Sequence, residues 1–343
     1  MIFKRDNTMR TVPSNFARRG LLQSMGALAV ASALPSMAYA QGDAYPSKPV
    51  SYVVPFTPGG STDVIGRTLT QKLAERLGQP FVVDNKPGAA GAVGAGIVAR
   101  AKPDGYTLFG GTISTHAINA SLYKNLPYDP VKDFEPVCLV AMLPNVLIVD
   151  PKLGVNSVAE LVALLKRDPA KRNFASSGAG TSTHLAGEMF ADLIGVKLDH
   201  VPYKGTPPAM MDVSGGLVTF MFDQMTAAAP LAAGGKLKLL AVTTGKRIAL
   251  APQLPTMIES GIAGFEMSSW QAVYAPKNTP KAIVNKLNSE IVAILALPDV
   301  KDKLQTQLGM EIVASTPEQL AAHMAKEIPR WGALVAKSGA KAD

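Results

Sequence analysis

From residue 50 onward, short apolar runs rich in β-branched residues alternate with segments of helical periodicity, and this alternation limits the possible folds more than any other feature. Val50 to Phe56 predicts a strand. A leucine or isoleucine recurs every fourth residue from Ile65 to Leu77, which predicts a helix over Thr62 to Leu77 that ends at Gly78. Further strands are predicted at 81–83 and 106–109, with an Ala/Gly-rich helix at 89–101. Such a rhythm builds a mostly parallel sheet with helices on its faces.

A second α/β unit follows the first. Ser157 and Glu160 form a capping-box pattern, which predicts a helix running to Arg167. Helices at 185–193 and 208–213 are predicted to alternate with strands at 173–176, 200–203, 218–222 and 237–243. Thr279-Pro280 and Thr316-Pro317 each predict the start of a helix in a C-terminal tail, with the threonine as the cap.

Two segments are predicted to carry the chain between the units. One is Phe134 to Asp150, which is apolar and interrupted by Pro136 and Pro144, and the other is Thr243 to Glu266. Two crossings without a flexible linker indicate a hinge. We therefore predict two α/β lobes, the first formed by residues 44–146 and 255–343 and the second by residues 147–254.

Residues 1–40 have the pattern of a cleaved signal peptide. A basic start is followed by an apolar stretch at 21–34, and Ala38-Tyr39-Ala40 offers small residues for cleavage before Gln41. The alternative is a membrane anchor, but the stretch is shorter than the roughly 20 apolar residues that spanning needs. Arg18-Arg19 resembles a twin-arginine export signal, and the Sec route stays open. The pattern predicts a protein that is exported from the cytoplasm.

Charge and cysteine content exclude several classes of protein. The net charge of +8 falls to +4 without residues 1–40, because five Lys/Arg and one Asp are removed (8 − 5 + 1). That balance is too mild for a nucleic-acid partner and modestly favours anions. Cys138 is the only cysteine, so disulfides within the chain are impossible and the fold depends on its core.

Two glycine-rich loops each follow a predicted strand and open a predicted helix. Val54 to Asp63 contains Gly59 and Gly60, and Phe174 to His184 contains two glycines and several hydroxyl residues. Glycines let the backbone turn its N–H groups inward, and a helix N-terminus adds unpaired donors and partial positive charge. Together the loops predict an anion site shared by the two units. Each loop alone equally fits an ordinary capped helix start.

Other polar residues at predicted strand ends are expected to line the same cleft. Ser114 and Thr115 follow one strand, Tyr203 follows another, and Asp223 ends a third. Ligands of open α/β sheets bind at strand ends. Asp223 would repel a carboxylate but suits an amine, a hydroxyl or a bridging water, and a local capping role is the alternative.

Sequence signatures of common enzymes are missing. The chain has neither a P-loop nor a G-x-S-x-G elbow, and the glycines at 88–96 do not have dinucleotide-binding spacing. Ser177 or Ser182 with His184 is the best candidate for a nucleophile and base, but no third orienting group is visible. We therefore expect a binding protein without a catalytic residue, metal or cofactor.

Seven motifs occur in a specific order along the chain: Tyr45 to Pro49, Val54 to Asp63, Asp84 to Ala89, Lys102 to Leu108, Leu126 to Pro130, Val201 to Gly205 and Met221 to Asp223. In this order they resemble the Bug family, the TctC-like receptors of tripartite tricarboxylate transporters. The resemblance covers nearly all of the chain after residue 40.

The resemblance implies a periplasmic receptor with the type II binding-protein fold, whose two lobes close around a small ligand. Family ligands include di- and tricarboxylates, aromatic carboxylates, amino acids and nicotinic-type acids, and a membrane permease receives them. The proximal carboxylate is held by the two loops, which carries over to Phe56, Thr57, Gly59, Gly60, Gly180, Thr181, Ser182 and Thr183. Tyr203 and Asp223 match family motifs beside the cleft, while Thr57 and residues 113–116 occupy variable positions expected to set specificity.

These implications give a carboxylate-capturing receptor, expected to be a monomer, as the predicted function. A ligand-sensing partner of a two-component system is the alternative, and a secreted hydrolase is a less favoured one.

Overall fold

The computed structural model describes residues 45–338, so the predicted signal peptide at residues 1–40 lies outside the described residues. The first unit contains three parallel strands and the helices between them. Its elements are β1 (Val50–Val54), α1 (Ser61–Leu77), β2 (Phe81–Asn85), α2 (Ala92–Ala99), β3 (Thr107–Thr112) and α3 (Asn119–Leu122). The predicted strand–helix rhythm is confirmed, as is Gly78, which ends α1 with a φ of 69° and donates to the carbonyl of Ala74.

The predicted helix at 89–101 begins later than expected. Residues 89–91 form a 3₁₀ turn, and α2 begins only at Ala92. The reason is the backbone from Gly88 to Gly91, where all four residues have positive φ angles. A right-handed helix requires negative φ and cannot begin before this stretch ends.

The second unit is built around three further parallel strands. Its elements are β4 (Phe134–Val149), α4 (Val158–Arg167), β5 (Asn173–Ser176), α5 (Ser182–Ile194), β6 (Asp199–Pro202), α6 (Thr206–Ser214), β7 (Phe220–Gln224), α7 (Met225–Ala233) and β8 (Lys238–Val242). Ser157 caps α4 as predicted, because its Oγ accepts a hydrogen bond from the N–H of Glu160.

β4 joins the two units as a single long strand. Its residues 134–144 pair with β9 (Ser268–Pro276), and its residues 145–149 pair with β7 and β8. The sheet order is β2-β1-β3-β9-β4-β7-β5-β6 among the described residues. We call β1, β2, β3, β9 and residues 134–144 the first half-sheet, and β5 to β8 with residues 145–149 the second half-sheet. Pro144 marks the change of partner.

The second predicted crossing meets the first at one point. Thr243 donates its N–H to the carbonyl of Asn145 on β4, and its Oγ1 donates to the carbonyl of Met267 just before β9. The intervening residues fold back on β8, where the N–H of Val242 donates to the carbonyl of Pro255. The predicted lobe boundaries stay a prediction, but the crossings lie side by side as a hinge requires.

The C-terminal tail is helical. It contains α8 (Lys281–Leu295), α9 (Pro298–Lys301) and α10 (Pro317–Ser338), with the short strand β10 (Glu311–Ile312) between them. Thr316 and Gln319 form a reciprocal capping box, as predicted. The predicted threonine cap of α8 is wrong, because the Thr279 hydroxyl donates to the Pro276 carbonyl instead. Between residues 45 and 338 we find no helix that is both long and apolar enough to span a bilayer.

A buried carboxylate attaches α10 to the first half-sheet. Glu327 is only 6% exposed, and its Oε2 accepts hydrogen bonds from the indole Nε1 of Trp270 (3.0 Å) and of Trp331 (2.8 Å). Its Oε1 accepts from Arg330 at 3.1 Å. Trp270 lies on β9 and Trp331 on α10, so the carboxylate bridges the two elements.

Glu327→Gln is expected to lower the free energy of unfolding by about 2 kcal/mol, because a neutral amide weakens two charge-assisted hydrogen bonds in a buried site. Chemical denaturation measures this change. Glu75→Gln removes an exposed carboxylate that pairs with Lys72 and serves as the control, with an expected loss below about 0.5 kcal/mol. Equal losses in the two variants would contradict the bridging role.

Candidate functional site

A polar cavity lies between the two half-sheets, where β1, β3, β5, β6 and β7 reach their carboxyl ends. Its lining consists of Phe56, Thr57, Gly60, Ser61, Thr62, Thr112, Ser114, Ser177, Ser182, Thr206, Gln224, Ser269 and Gln271. Nine of these residues carry hydroxyl groups and none is charged. A ligand here is therefore held by dipoles rather than by an arginine or lysine.

Asp63 fixes the shape of the first loop. Its Oδ2 accepts hydrogen bonds from the Gly59 N–H (3.0 Å) and Arg67 Nε (2.9 Å), and its Oδ1 accepts from Asn85 Nδ2 (3.0 Å). Asn85 also donates to the carbonyl of Phe56. Burial opposes ionisation, but these hydrogen bonds outweigh it and lower the pKa of Asp63. An ionised carboxylate thus holds the loop from behind the cavity.

The start of α1 faces the cavity with unused donors. Gly60 is its N-cap and makes no side-chain cap bond. Within residues 45–338, the N–H groups of Gly60, Ser61 and Thr62 donate no hydrogen bond. Free N–H groups at a helix N-terminus, with its partial positive charge, suit a carboxylate.

Two glutamines orient the hydroxyls beside these donors. Gln271 Nε2 donates to Ser61 Oγ (2.9 Å) and Thr62 Oγ1 (3.0 Å), and Ser61 Oγ donates to Gln224 Oε1 (3.4 Å). The buried Oε1 of Gln271 has no hydrogen-bond partner among the described residues. A ligand hydroxyl or an ordered water would satisfy it.

The second loop uses its own hydroxyls to hold its shape. Thr181 Oγ1 accepts from the N–H of His184 and donates to the carbonyl of Gly178. Thr183 Oγ1 accepts from the N–H of Ser177 and lies 2.8 Å from Thr181 Oγ1. These two threonines therefore stabilise the loop from within rather than facing the cavity.

Two stacked histidines lie beneath the second loop. The rings of His184 and His200 have centroids 3.8 Å apart. His184 Nδ1 accepts from the Gly180 N–H, and its Nε2 lies 3.3 Å from Glu188 Oε1. His200 Nε2 lies 2.6 Å from Ser176 Oγ, and burial together with the neighbouring His184 lowers the pKa of His200 to about 3.

The serine–histidine pair considered for a hydrolase does not form. Both ring nitrogens of His184 have other partners, and Ser177 Oγ contacts Thr183. Ser182 is 3% exposed, and its hydroxyl makes no hydrogen bond within the described part of the chain. Ser182 therefore offers a ligand contact but has no base beside it.

Of the predicted site residues, the structure brings Phe56, Thr57, Gly60, Ser114 and Ser182 together at the cavity. Ser114 and Ser182 also meet across the two half-sheets, because the N–H of Ser182 donates to Ser114 Oγ at 3.4 Å. Seven predicted residues do not line it: Gly59, Thr115, Gly180, Thr181, Thr183, Tyr203 and Asp223. Their role in ligand binding stays a prediction.

Three of these residues, Thr115, Tyr203 and Gly180, contact neighbouring residues instead. Thr115 Oγ1 accepts from the N–H of Thr112, a lining residue. The Tyr203 hydroxyl contacts Asp212 at 2.5 Å. The backbone of Gly180 (φ 79°) packs so closely on Leu122 of the first unit that a side chain would overlap it.

Asp223 lies directly behind the cavity. Its carboxylate accepts a hydrogen bond from the N–H of Gln224, which lines the cavity. Its Oδ2 is buried without a hydrogen-bond partner among the described residues. Burial raises the pKa of Asp223 to about 7.

The prediction from sequence missed several lining residues. Ser61, Thr62 and Ser177 lie inside the two glycine-rich loops that the sequence predicted. Ser269, Gln271, Gln224 and Thr206 were not predicted. Ser269 and Gln271 reach the cavity from β9, more than 200 residues from the first loop, and no local motif marks them.

Residues 65–340 match the model of the tripartite tricarboxylate transporter family receptor, TctC. The chain belongs to this receptor family. BugT of Bordetella pertussis (strain Tohama I) is 39% identical over 300 residues, which are 87% of this chain and 92% of that protein. The predicted Bug-family resemblance is therefore confirmed.

Solved structures similar to this chain include the periplasmic binding protein BugD, which has a TM-score of 0.83 and 41% identity and covers 87% of this chain and 99% of its own. Rpa4515 of R. palustris, solved with adipate, has a TM-score of 0.84 and 38% identity and covers 87% of this chain and 99% of its own. MatC of Rhodopseudomonas palustris, with bound malate, has a TM-score of 0.81 and 34% identity and covers 85% of this chain and 100% of its own. The fold is thus that of a two-lobed periplasmic binding protein, and the chain is a substrate-binding receptor, not an enzyme.

Proposed function

We propose that this receptor captures a small carboxylate between its lobes in the periplasm and, as a monomer, delivers it to the membrane permease of a tripartite tricarboxylate transporter. The observation that supports the carboxylate most directly is the group of unused N–H donors at Gly60, Ser61 and Thr62, beside the hydroxyls of the cavity. The carboxylates bound by Rpa4515 and MatC agree with this chemistry.

Binding and closure are coupled because the cavity takes its walls from both lobes. One carboxylate oxygen would accept from the N-terminus of α1, and Ser182 of the second loop would donate its hydroxyl from the other side. Each charge-assisted hydrogen bond contributes about 1.5–3 kcal/mol. A ligand that contacts both lobes stabilises the closed state over the open one, which the permease could then recognise.

Calorimetric titration of the purified protein with malate, adipate and benzoate, each beside its amide, tests the proposal. We expect saturable binding of at least one carboxylate and none of its amide. Ser182→Ala should weaken that binding about tenfold by removing one hydrogen bond to a charged group. Ser289→Ala, which removes an exposed hydroxyl on α8, is the matched control and should leave the affinity unchanged.

Binding of the amides as tightly as the acids would contradict the carboxylate assignment. Turnover of matching esters would instead favour a hydrolase. A partner of a two-component sensor would bind the same ligand, so loss of carboxylate uptake on deletion of this chain is what supports the transport role.

A further inference from the structure

The start of α5 is capped by a reciprocal pair of hydrogen bonds in which a histidine takes the place that glutamate or glutamine usually has. Thr181 is the N-cap, and its Oγ1 accepts from the N–H of His184. The ring of His184 reaches back, and its Nδ1 accepts from the N–H of Gly180 at 3.0 Å. An ordinary capping box has Glu or Gln at the position of His184. With a histidine, the bond from Gly180 exists only while Nδ1 carries no proton.

The contacts of His184 determine which ring nitrogen carries the proton. Because Nδ1 accepts from Gly180, the neutral ring holds its proton on Nε2, which lies 3.3 Å from Glu188 Oε1. A doubly protonated ring would direct its Nδ1–H at the N–H of Gly180, and two donors cannot form that bond. Protonation would therefore push the Gly180 backbone and the ring apart.

Two ionisable side chains face the His184 ring within residues 45–338. His200 of β6 is stacked on it with centroids 3.8 Å apart, and Glu188 of α5 lies at its Nε2. From β5 the ring is met by Phe174, which carries no charge. Burial and the neighbouring His184 lower the pKa of His200 to about 3, so His200 stays neutral when the pH falls from 8 to 5.5. A change of charge in this stack over that range belongs to His184.

Glu188 would balance the charge that a proton brings to the His184 ring. It lies in a groove that it lines together with Asp192 and with Leu334 of α10. Neither His184 nor Glu188 lines the polar cavity. Protonation of the ring therefore acts on a bound carboxylate through the shape of the second loop rather than through direct attraction.

The position of Gly180 affects the ligand because the second loop forms one wall of the cavity and contacts the first unit. Ser177 and Ser182, on either side of Gly180 in the chain, line the cavity. The Gly180 backbone packs closely against Leu122 of the first unit. A shift of Gly180 would disturb both the Ser182 contact to a ligand and the packing between the two units.

We propose that His184 is a positioning residue and a pH-sensitive switch: its neutral ring holds the second loop in the form that binds a carboxylate, and protonation of the ring releases the loop and lowers the affinity. This inference rests on the proposed function and concerns the regulation of the same site. Histidine is the side chain that ordinarily changes its charge between pH 5 and 8. We therefore expect weaker binding at pH 5.5 than at pH 8.

Calorimetric titrations with malate, adipate and benzoate at pH 8 and pH 5.5 test the inference on the wild type, His184→Gln and His184→Ala. Glutamine offers an oxygen to the Gly180 N–H and does not titrate. At pH 8 we expect His184→Gln to bind within about twofold of the wild type and His184→Ala about tenfold more weakly. Between pH 8 and 5.5 the wild type should lose about tenfold more affinity than His184→Gln. The ligand and Asp223 titrate in both proteins, so the comparison removes their contribution.

A control variant and a spectroscopic measurement separate this role from a general loss of stability. His323→Gln changes a half-buried histidine of α10 whose ring contacts Trp270, and it should keep the pH dependence of the wild type. Nitrogen-15 NMR of the histidine rings in the wild type should show His184 as the Nε2–H tautomer at pH 8, with the signal assigned by its loss in His184→Gln.

Four outcomes would overturn the inference: equal pH dependence of the wild type and His184→Gln, undiminished binding by His184→Ala, failure of glutamine to restore binding at pH 8, or an Nδ1–H tautomer of His184. The NMR result and the glutamine variant keep the test decisive if the alanine variant does not fold. If the wild type binds a carboxylate but one of these outcomes is found, only this inference fails. If no carboxylate binds at either pH, the proposed function itself fails.

Discussion

Gly180→Ala is expected to weaken carboxylate binding by about 100-fold, which corresponds to about 2.7 kcal/mol. A methyl group at this position would overlap Cδ2 of Leu122, which belongs to the first unit while Gly180 belongs to the second loop. Because Gly180 and Leu122 belong to different predicted lobes, we expect the clash to disfavour the closed state. Calorimetric titration with the best carboxylate measures the loss.

Gly195→Ala is the control for backbone strain. Gly195 also has a positive φ, 65° against 79° for Gly180, but an added methyl group would meet nothing within 4 Å. Its variant should lose stability without a comparable loss of affinity. Adding Leu122→Ala to Gly180→Ala should restore most of the binding. If Gly195→Ala weakened binding as strongly, strain rather than the contact between lobes would be responsible.

Asp223→Asn is expected to stabilise the protein by up to about 4 kcal/mol at pH 8 and by almost nothing at pH 4. Burial raises the pKa of Asp223 from 3.8 to about 7, so the folded protein holds a proton that the unfolded chain releases. The contribution of Asp223 to the wild-type free energy of unfolding is therefore fully present below pH 3.8. It falls as the pH rises and is lost above a pH of about 7. The amide cannot ionise and avoids that loss.

Chemical denaturation of both proteins between pH 4 and 8 measures the difference in the free energy of unfolding. His116 and His200 have the opposite pH dependence, because burial lowers the pKa of each to about 3. Their contribution to the free energy of unfolding is lost as the pH falls below 6.5. Both proteins contain these histidines, so their contribution cancels in the difference. A difference that stays constant with pH would show that Asp223 remains ionised in the folded protein.

The protonation state of Asp223 is also expected to affect the affinity for a carboxylate ligand. Its carboxylate accepts a hydrogen bond from the N–H of Gln224, which lines the cavity between the half-sheets, and no basic residue pairs with it in the described part of the chain. An ionised Asp223 would repel a bound carboxylate. The Asp223→Asn protein therefore also serves to compare ligand affinity at pH 6 and pH 8.

Local sequence patterns determined much of this protein. The four-residue spacing from Ile65 to Leu77 specified α1, and the capping box at Ser157 and Glu160 specified the start of α4, because each pattern acts through contacts within a few residues. The glycine-rich loops identified both walls of the binding cavity for the same reason. Seven motifs in order were enough to indicate the family.

Only the tertiary structure decided which side chains meet at the cavity. Gln271 lies 210 residues from Ser61, yet its amide orients the hydroxyls of the first loop. Thr181 and Thr183 carry the hydroxyls that the motif suggested, but these turn inward to hold the second loop. Which group a hydroxyl contacts depends on how β9 and the two lobes pack together. The residues next to that hydroxyl in the sequence do not determine this packing.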